Sequence, residues 1–296
     1  MKAGFVGLVG LPNAGKSTLL NRLVGTKLAI VSDKPQTTRN RIVGVRNYPE
    51  GQAVYVDTPG IHRPTHRMNV RMVDVAMDAL RDVDVVGVVL DVGQRPGGGQ
   101  QHLFELVKPL QTPVVLVLNK VDQIAKPKLL PIIERVRQIR EFADIVPISA
   151  LSGDGVDALE RVFLSHLPEG TPLYPEDYLT EQPERFFVAE AVREQVLQHT
   201  HAELPFSTAV VVDKFDEEAG PGLLRLYCTI LVERDSQKPI VIGRRGEMIK
   251  TIGTAARQEL ERFFDTRVYL DLHVKVRSEW REDDRLLDEL MKRPGE

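Results

Sequence analysis

One octapeptide constrains the fold of this chain more than any other feature of its sequence. Residues 10–17 read Gly-Leu-Pro-Asn-Ala-Gly-Lys-Ser and match the pattern G-x-x-x-x-G-K-[ST]. An apolar run, Gly4–Val9, comes directly before them, and a helical pattern, Lys16–Val24, opens within them. A strand, a glycine-rich turn and a helix in this order direct backbone N–H groups and a helix N-terminus at phosphate. We therefore predict that residues 10–17, called the phosphate loop below, bind the phosphates of a nucleotide.

Short apolar runs rich in valine alternate with helical patterns through about residue 165. The predicted strands are Gly4–Val9, Arg41–Tyr48, Gln52–Val56, Val83–Leu90, Pro113–Leu118 and Ile145–Ile148. The predicted helices are Lys16–Val24, Val70–Arg81, Gln101–Leu110 and Leu130–Phe142. Continuous apolar strands alternating with helices are typical of a mostly parallel sheet with helices on both faces. The sequence therefore predicts an α/β domain over residues 1–167.

A proline-rich break separates this region from a second one. Residues 168–183 contain four prolines and no sustained periodicity, which indicates an irregular linker. The elements predicted after the break are a helix, two strands, a helix–turn–helix, a strand and an amphipathic segment: Arg185–His199, Ser207–Phe215, Leu223–Glu233, Ile240–Phe264, Val268–Val276 and Arg281–Lys292. This order predicts a smaller α+β domain over residues 184–296.

The composition limits the partners and the location of the protein. With 39 basic and 42 acidic residues the net charge is −3, so any surface for nucleic acid must be local. The single cysteine, Cys228, excludes an internal disulfide framework and suits a reducing compartment. No run approaches the ~20 apolar residues of a membrane span, and the strand pattern from Gly4 leaves no room for a signal peptide. We expect a cytoplasmic protein.

Further positions complete a site for a triphosphate and its metal ion. In the phosphate loop, Lys16 supplies the charge that neutralises the β- and γ-phosphate oxygens, and Ser17 offers a hydroxyl to Mg²⁺. The tetrapeptide Asp57–Gly60 (Asp-Thr-Pro-Gly) ends the strand Gln52–Val56. Its carboxylate can hold Mg²⁺ through water, and the N–H of Gly60 can meet the γ-phosphate. We therefore expect Ser17 and Asp57 to lie at the metal.

The tetrapeptide Asn119–Asp122 (Asn-Lys-Val-Asp) follows the predicted strand Pro113–Leu118 and determines which nucleotide base is bound. A carboxylate at Asp122 accepts two hydrogen bonds from the ring N–H and the amine of guanine, whereas adenine lacks that donor pair. Lys120 can lay its stem along the base, and Asn119 can tie loops together. Ser149–Leu151 (Ser-Ala-Leu) follows the last strand; in isolation it would indicate only a turn, but here the Ala150 N–H can reach the guanine oxygen.

A second loop, in the carboxy-terminal region, indicates RNA binding. Gly243–Gly246 (Gly-Arg-Arg-Gly) lies between two helical stretches, as in KH domains, where a G-x-x-G loop clamps about four nucleotides. Residues 238–277 carry a net charge of +4, whereas residues 181–296 together carry −5, so positive charge is concentrated around the loop. The alternative is a helix connector in a purely structural α+β cap. The residues expected to contact RNA are Ile242, Gly243, Arg244, Arg245, Gly246 and Lys250.

The four nucleotide segments, in this order, are typical of translation-factor-like GTPases, and the whole chain resembles the Era-like family of bacterial GTPases. The resemblance also rests on 34–39 (Lys-Pro-Gln-Thr-Thr-Arg), 144–150 (Asp-Ile-Val-Pro-Ile-Ser-Ala), 175–178 (Pro-Glu-Asp-Tyr), 202–205 (Ala-Glu-Leu-Pro) and 241–243 (Val-Ile-Gly). It implies a GTPase domain followed by a type II KH domain, with GTP or GDP and Mg²⁺ as ligands. It also implies that the RNA is the 3′ end of small-subunit ribosomal RNA, during maturation of that subunit.

The resemblance further implies roles in catalysis. Residues 35–39 correspond to switch I, in which Thr38, or as the alternative Thr37, closes on Mg²⁺ when GTP is bound. Ile61 stands where Ras-like proteins have a water-orienting glutamine, and an aliphatic side chain cannot do that work. Related GTPases with Gly-x-Pro-Asn in this loop use the asparagine to help hold K⁺ at the phosphates, and Asn13 matches it. The alternative for Asn13 is a turn residue that tolerates left-handed geometry.

These inferences give one set of expected site residues. Catalysis is assigned to Asn13, Lys16, Thr38 and Gly60, and Mg²⁺ to Ser17, Thr38 and Asp57. The residues expected to contact the guanine nucleotide are Gly10, Leu11, Pro12, Asn13, Ala14, Gly15, Lys16, Ser17, Thr18, Asp57, Gly60, Asn119, Lys120, Asp122, Ser149, Ala150 and Leu151.

Two other functions compete with this interpretation. The amphipathic segment Arg281–Lys292, with three leucines on one face, could place a signalling GTPase peripherally on the inner face of the cell membrane, although its acidic polar face would be repelled by anionic lipid. A nucleotide-dependent metabolic enzyme, such as a tRNA modifier, would need a second catalytic constellation, which the second region lacks. We expect a monomer whose partner is the small ribosomal subunit, and co-sedimentation with that subunit or with liposomes separates the first two functions.

Overall fold

The computed structural model describes residues 1–32, 34, 37–61, 66–200, 204–217 and 222–291. The contacts within the chain form two compact units, one comprising Met1–Ala29 and Pro35–Glu181 and the other Ile30–Lys34 and Gln182–Glu296. Each unit has a sheet and a hydrophobic core of its own.

The first unit is built on a six-stranded sheet whose strands are β1 Lys2–Gly10, β2 Ile42–Tyr48, β3 Gly51–Asp57, β4 Val85–Asp91, β5 Val114–Asn119 and β6 Asp144–Pro147. The strand order is β2-β3-β1-β4-β5-β6. All neighbours pair in parallel except β2 and β3, which are antiparallel. Strands β3 and β5 are buried along their whole length, because helices cover both faces of such a sheet. The predicted α/β fold is confirmed.

The helices of the first unit are α1 Lys16–Val24, α2 Arg67–Arg81, α3 Gly98–Val107, α4 Leu129–Arg137 and α5 Val156–His166. Helix α4 ends five residues before the predicted end at Phe142. Phe142 lies beyond the helix and packs against the core edge-on to Phe104, with ring centroids 6.1 Å apart. Its apolar character therefore reflects tertiary packing rather than helical periodicity. Helix α3 begins within a triple glycine, Gly97–Gly99, whose composition is more typical of a surface loop.

The segment predicted as an irregular linker packs against the edge of the first sheet. The backbone N–H groups of Leu173 and Tyr174 donate to Gln52 Oε1 at 2.8 and 3.0 Å. The Val45 N–H donates to the Leu179 carbonyl at 2.9 Å. Strand β2 is an edge strand with unpaired backbone groups, and such groups are satisfied here by the chain that follows α5. This segment is therefore irregular but ordered, and up to Glu181 its contacts are with the first unit.

The second unit holds a three-stranded sheet with helices packed against it. Its strands are β7 Ala209–Asp216, β8 Leu223–Val232 and β9 Arg267–Val276, and its helices are α6 Glu184–His199, α7 Leu204–Ser207, α8 Lys238–Ile242, α9 Glu247–Phe264 and α10 Asp284–Leu290. Strands β7 and β8 are antiparallel, whereas β8 and β9 are parallel, in the order β7-β8-β9. The predicted α+β order, with two helices between β8 and β9, is confirmed.

The core of the second unit is aliphatic and includes the only cysteine of the chain. Cys228 is fully buried on β8, and burial raises the pKa of its thiol to about 12, so it is a packing residue rather than a nucleophile. At the carboxy-terminal end, Trp280 is also fully buried and donates its indole N–H to the Ser207 carbonyl at 2.9 Å.

The amphipathic carboxy-terminal segment forms a shorter helix than predicted. Helix α10 ends at Leu290, and Lys292, the predicted end, lies outside the described residues. Leu286 and Leu287 are buried, with exposed fractions of 3% and 0%. The apolar face that the sequence offered to a membrane surface is therefore used for packing within the protein. In the part of the chain described, no helix has the length and apolarity needed to cross a membrane.

Candidate nucleotide site and RNA-binding loop

The phosphate loop adopts a conformation that only its glycines permit. Gly15 begins α1 with a φ of 93°, and an added Cβ would lie 2.2 Å from Asn119 Nδ2. A Cβ on Gly10 would lie 2.4 Å from the Val89 carbonyl oxygen. Asn13 also has a positive φ, 61°, a region that asparagine tolerates better than most residues. The loop can therefore follow this tight path between β1 and α1 only with glycine at positions 10 and 15.

Lys16 is held inside the phosphate loop. Its side chain is only 5% exposed, and its Nζ donates to the Leu11 carbonyl at 3.1 Å. Burial lowers the pKa of Lys16, and the nearby charge of Asp57 opposes that shift. The two carbonyl contacts, to Leu11 and at 3.4 Å to Gly10, place the ammonium at the concave side of the loop. A phosphate oxygen bound there would meet a charge that has already lost most of its water.

The three residues predicted to hold Mg²⁺ lie together. Ser17 Oγ is 2.7 Å from Thr38 Oγ1, and Ser17 donates to Asp57 Oδ2 at 2.7 Å. Thr38 Oγ1 is 3.4 Å from the same carboxylate oxygen. The other oxygen, Asp57 Oδ1, is buried and has no hydrogen-bond partner among the described residues. Oxygen donors converging around a carboxylate with an unsatisfied oxygen fit a hard divalent cation.

Burial raises the pKa of Asp57, and Lys16 with the hydroxyls of Ser17 and Thr38 opposes that shift. A carboxylate that is costly to ionise in its dry surroundings gains from a bound cation. The electrostatics of the site therefore agree with its geometry.

The start of the segment after β3 packs against the phosphate loop. A Cβ on Gly60 would lie 2.8 Å from the backbone N and Cα of Pro12, and the Ile61 N–H donates to the Gly10 carbonyl at 3.0 Å. Gly60 is therefore close enough to the loop for its N–H to face a bound γ-phosphate. Ile61 is fully buried, so it cannot orient a water molecule. Residues 62–65, with His62, and two residues of switch I, Pro35 and Gln36, lie outside the described residues.

Asn119 ties the phosphate loop to the segment after β6, as its sequence position suggested. Its Nδ2 donates to the Ala14 carbonyl at 2.8 Å, and its Oδ1 accepts the Ala150 N–H at 2.9 Å. The predicted role of the Ala150 N–H was to meet the guanine oxygen. In this structure that N–H is directed at Asn119 instead, so its contact with guanine stays a prediction.

The remaining residues predicted to contact the nucleotide differ in how exposed they are. Ser149 is fully buried, whereas Leu151 is 73% exposed. Asp122 is exposed in a short turn, Val121–Gln123, where its carboxylate is open to a ligand. Thr18, in the first turn of α1, is half-buried.

Two residues that sequence patterns did not identify support the base pocket. Asp91, at the end of β4, accepts a hydrogen bond from Lys120 Nζ at 2.7 Å. Arg22 on α1 donates to the backbone carbonyls of Ala150 and Leu151. Each lies far along the chain from its partner, so no local motif could have revealed these contacts. Lys120 has a left-handed backbone, with φ of 67°.

In the second unit, the G-x-x-G loop joins α8 to α9. Gly243 has φ of 76° and ψ of 172°, and an added Cβ would lie 2.5 Å from Met248 Cβ. Gly246 has φ of 81°, and an added Cβ would meet no atom within 4 Å. Between them, Arg244 and Arg245 are exposed, so both guanidinium groups can reach a phosphate.

Beside this loop, α9 packs against β9. A Cβ on Gly253 would lie 3.4 Å from Leu272 Cδ1, so the helix and the strand are in close contact there. Ile242 and Ile249 are half-buried and pack against the core, and Lys250 is exposed. The predicted RNA-contacting residues 242–246 and 250 therefore combine exposed basic side chains with half-buried aliphatic ones.

Fold and site together define the class of this protein: a P-loop GTPase whose second unit is a KH domain. The family of 50S ribosome-binding GTPases matches residues 5–120, and the KH domain family matches residues 203–281. GTPase Era of Geobacter metallireducens is 49% identical over 289 residues, which span 98% of this chain and 97% of that protein. GTPase Era of Heliobacterium modesticaldum is 45% identical over 282 residues, spanning 95% and 94%. The chain belongs to the Era family of GTPases, and its reaction is the hydrolysis of GTP.

Solved structures extend the likeness to the whole fold. A crystal structure of Era in complex with MgGDPNP and nucleotides 1506–1542 of 16S ribosomal RNA superposes with a TM-score of 0.95 at 41% identity, covering 99% of both chains. A variant of Aquifex aeolicus Era bound to GDP·AlF4⁻ gives 0.94 at 42% identity, also covering 99% of both chains. Guanine nucleotides and Mg²⁺ are thus the ligands of the family.

Proposed function

We propose that this GTPase uses its nucleotide state to control how its KH domain binds the 3′ end of small-subunit ribosomal RNA during maturation of that subunit. The observation that carries the proposal is the G-x-x-G loop, with two exposed arginines beside the half-buried Ile242 and Ile249, in a chain whose similar solved structure holds 16S ribosomal RNA. In this proposal residues 1–167 bind GTP and residues 184–296 bind RNA. We further propose a cytoplasmic monomer whose partner is the small ribosomal subunit.

The chain's own residues account for most of the hydrolytic machinery. Backbone N–H groups of the phosphate loop and the buried Lys16 bind and orient the phosphates. Ser17, Thr38 and Asp57 would hold Mg²⁺, which when bound neutralises charge on the β- and γ-phosphates. The N–H of Gly60 stabilises the γ-phosphate as charge develops on it. Because Ile61 cannot orient water, catalysis rests on positioning and on neutralisation of charge.

Monovalent cation dependence is the first test of this mechanism. If the Asn13 amide helps to hold K⁺ at the phosphates, GTP hydrolysis is expected to be faster in KCl than in NaCl at equal ionic strength. Asn13→Ala is expected to remove that difference and to leave GDP affinity nearly unchanged. Initial rates of phosphate release in the two salts measure the effect.

Asn13→Gly is the matched control, because glycine keeps the left-handed backbone at φ of 61° and removes only the side chain. Both variants are expected to lose the preference for K⁺. If Asn13→Gly keeps the preference, the side chain does not hold the cation and position 13 only shapes the turn. Equal wild-type rates in the two salts would have the same consequence.

The RNA target is tested by direct binding. A fluorescently labelled oligonucleotide with the 3′-terminal sequence of small-subunit ribosomal RNA is expected to bind at least about ten-fold tighter than a shuffled oligonucleotide, ~1.4 kcal/mol. The ratio of the affinity for the ribosomal sequence to that for the shuffled sequence is expected to be larger with a non-hydrolysable GTP analogue than with GDP, because the nucleotide state controls binding. Equal affinities for the two sequences in both states would contradict the proposed target.

The membrane-associated alternative lacks a supporting observation in this structure. Its basis was the apolar face of the carboxy-terminal helix, and Leu286 and Leu287 on that face are buried within the protein. Peripheral attachment to a membrane would need another surface.

A further inference from the structure

A second recognition surface lies in the KH domain, apart from the G-x-x-G loop. It is an open cleft of about 810 Å³ at the amino-terminal ends of β8 and β9, and we call it the arginine–tyrosine cleft. Its chemistry is set by three arginines, two tyrosines and one carboxylate: Arg225, Arg257, Arg267, Tyr227, Tyr269 and Glu261. Neither the phosphate loop nor the G-x-x-G loop contributes to it.

The two tyrosines give the cleft an aromatic wall. Their ring centroids are 6.1 Å apart with an interplanar angle of 60°, so each supports the other without covering its face. Tyr269 is 49% exposed, whereas Tyr227 is half-buried and Lys214 Nζ lies 6.0 Å from its ring centroid. A large aromatic side chain exposed in a cleft is a platform on which an unstacked base can lie.

The charges of the cleft leave two guanidinium groups available to an anion. Arg257 is paired with Glu261 at 3.2 Å, and Glu261 also accepts the Val268 N–H. The side chains of Arg225 and Arg267 are exposed and make no hydrogen bond or ion pair with the described residues.

Two of the acidic side chains near these arginines lie close to a basic side chain. Asp216, the strand neighbour of Arg225, is 2.7 Å from Lys214 Nζ. Asp271 lies two residues from Tyr269 on the same strand and is 3.5 Å from His273 Nε2. The cleft therefore presents an excess of positive charge beside an aromatic ring.

Helix α9 leads from the G-x-x-G loop to the arginine–tyrosine cleft. Helix α9 starts at the G-x-x-G loop, and Arg257 lies ten residues after Glu247, about 15 Å along the helix axis. Strand β9 runs beside the helix, with Gly253 facing Leu272 between the loop and the cleft. A single strand that leaves the loop along α9 and β9 reaches the arginine–tyrosine cleft.

We propose that the arginine–tyrosine cleft is a second subsite for single-stranded RNA, which takes a nucleotide flanking those held by the G-x-x-G loop. Tyr269 stacks on the base, and Arg225 and Arg267 bind the adjoining phosphates. The inference rests on the proposed RNA-binding function and extends its footprint beyond the about four nucleotides that a G-x-x-G loop clamps.

Affinity as a function of oligonucleotide length tests the subsite. The probes are labelled single-stranded RNAs of the ribosomal 3′-terminal sequence, starting from about four nucleotides and extended stepwise at the 5′ or the 3′ end. For the full-length protein, affinity is expected to rise when the extension on one side reaches the cleft. Tyr269→Ala is expected to lose about five-fold or more in affinity for the long RNA and to bind the short RNA as the wild type does.

Two further variants separate stacking from charge. Tyr269→Phe keeps the ring and is expected to match the wild type at every length. The double variant Arg225→Ala with Arg267→Ala is expected to make the slope of log affinity against log salt concentration shallower for long RNA, by about 0.7 per lost phosphate contact.

Each other outcome overturns a stated part of the inference. If neither Tyr269→Ala nor the arginine double variant reduces the gain in affinity with length, the cleft is not an RNA subsite, while the proposed RNA-binding function stands. If only the arginine variant weakens long-RNA binding, the stacking role is rejected and the cleft acts through charge alone. If the wild type does not bind RNA of any length, the proposed function itself fails.

Discussion

Gly246→Asp is expected to weaken RNA binding about hundred-fold or more and to leave GTP hydrolysis at the wild-type rate. An added Cβ at position 246 meets no atom within 4 Å, so the new side chain has room beside the loop, although the φ of 81° strains any side chain there. The RNA phosphates must pass through that space. Two like charges about 4 Å apart near a protein surface repel by ~4 kcal/mol, more than enough for the expected loss. The phosphate loop belongs to a unit with its own core, so hydrolysis is unaffected.

The neutral variant Gly246→Asn is the matched control for this prediction. Position 246 has a φ of 81°, and asparagine and aspartate both tolerate such a backbone better than most residues and have almost the same shape. Gly246→Asn is expected to retain RNA binding within about ten-fold of the wild type, because it adds bulk without charge. Fluorescence anisotropy with a labelled single-stranded RNA measures both variants. A Gly246→Asp protein that binds RNA with wild-type affinity would mean that residues 243–246 only connect two helices.

A double variant, Arg244→Ala with Arg245→Ala, separates the charge of the loop from its shape. It keeps the backbone path and removes only phosphate contacts, so binding is expected to weaken for all RNA sequences. The slope of log affinity against log salt concentration is expected to become shallower by about 0.7 per lost phosphate contact on single strands. The ranking of RNA sequences stays the same, because phosphate contacts position the nucleic acid and do not read its bases.

Asp122→Asn is expected to lower GTP affinity by about 3 kcal/mol or more and to shift the preference toward xanthine nucleotides. The carboxylate of Asp122 accepts from both the ring N–H and the exocyclic amine of guanine in our proposal. An asparagine amide replaces one acceptor with a donor, which then faces the guanine amine and leaves two donors opposed. Xanthine carries an oxygen where guanine carries that amine, so the amide N–H₂ finds an acceptor there.

Competition of GTP and XTP against a fluorescent nucleotide measures this exchange of preference. Asp74→Asn is a suitable control, because it makes the same chemical change at an exposed position of α2. The control is expected to keep wild-type GTP affinity. Unchanged GTP affinity in Asp122→Asn would remove Asp122 from the base pocket and leave its segment as a turn after β5.

The positions of the site segments followed from local sequence. The phosphate loop, the Asp57–Gly60 segment and the Asn119–Asp122 segment each come directly after a strand of the sheet. Because the carboxyl ends of parallel strands meet at one edge, the sequence pattern predicts that these segments lie close together although they are far apart in the chain. The contacts of Ser17 with Asp57, and of Asn119 with Ala14, agree with that prediction.

Other features depend on contacts that no local pattern records. The helical pattern placed Phe142 in α4, but Phe142 packs beyond its end, because an apolar residue satisfies the core from a loop as well as from a helix. The leucines of α10 gave an amphipathic pattern that fits a membrane surface and a protein core equally well. Only their burial decides between the two.

By itself, the sequence of this protein determined the order of its strands, the fold classes of its two regions and the glycines of its phosphate loop and G-x-x-G loop. These are short-range properties, set by periodicity and by backbone conformations that few residues adopt. The tertiary structure alone decided that Asp91 holds Lys120, that the proline-rich segment covers the edge of β2, and that arginines and tyrosines from separate strands share one cleft. Each joins residues far apart in the chain, and such pairs become neighbours only when the sheets and helices have packed.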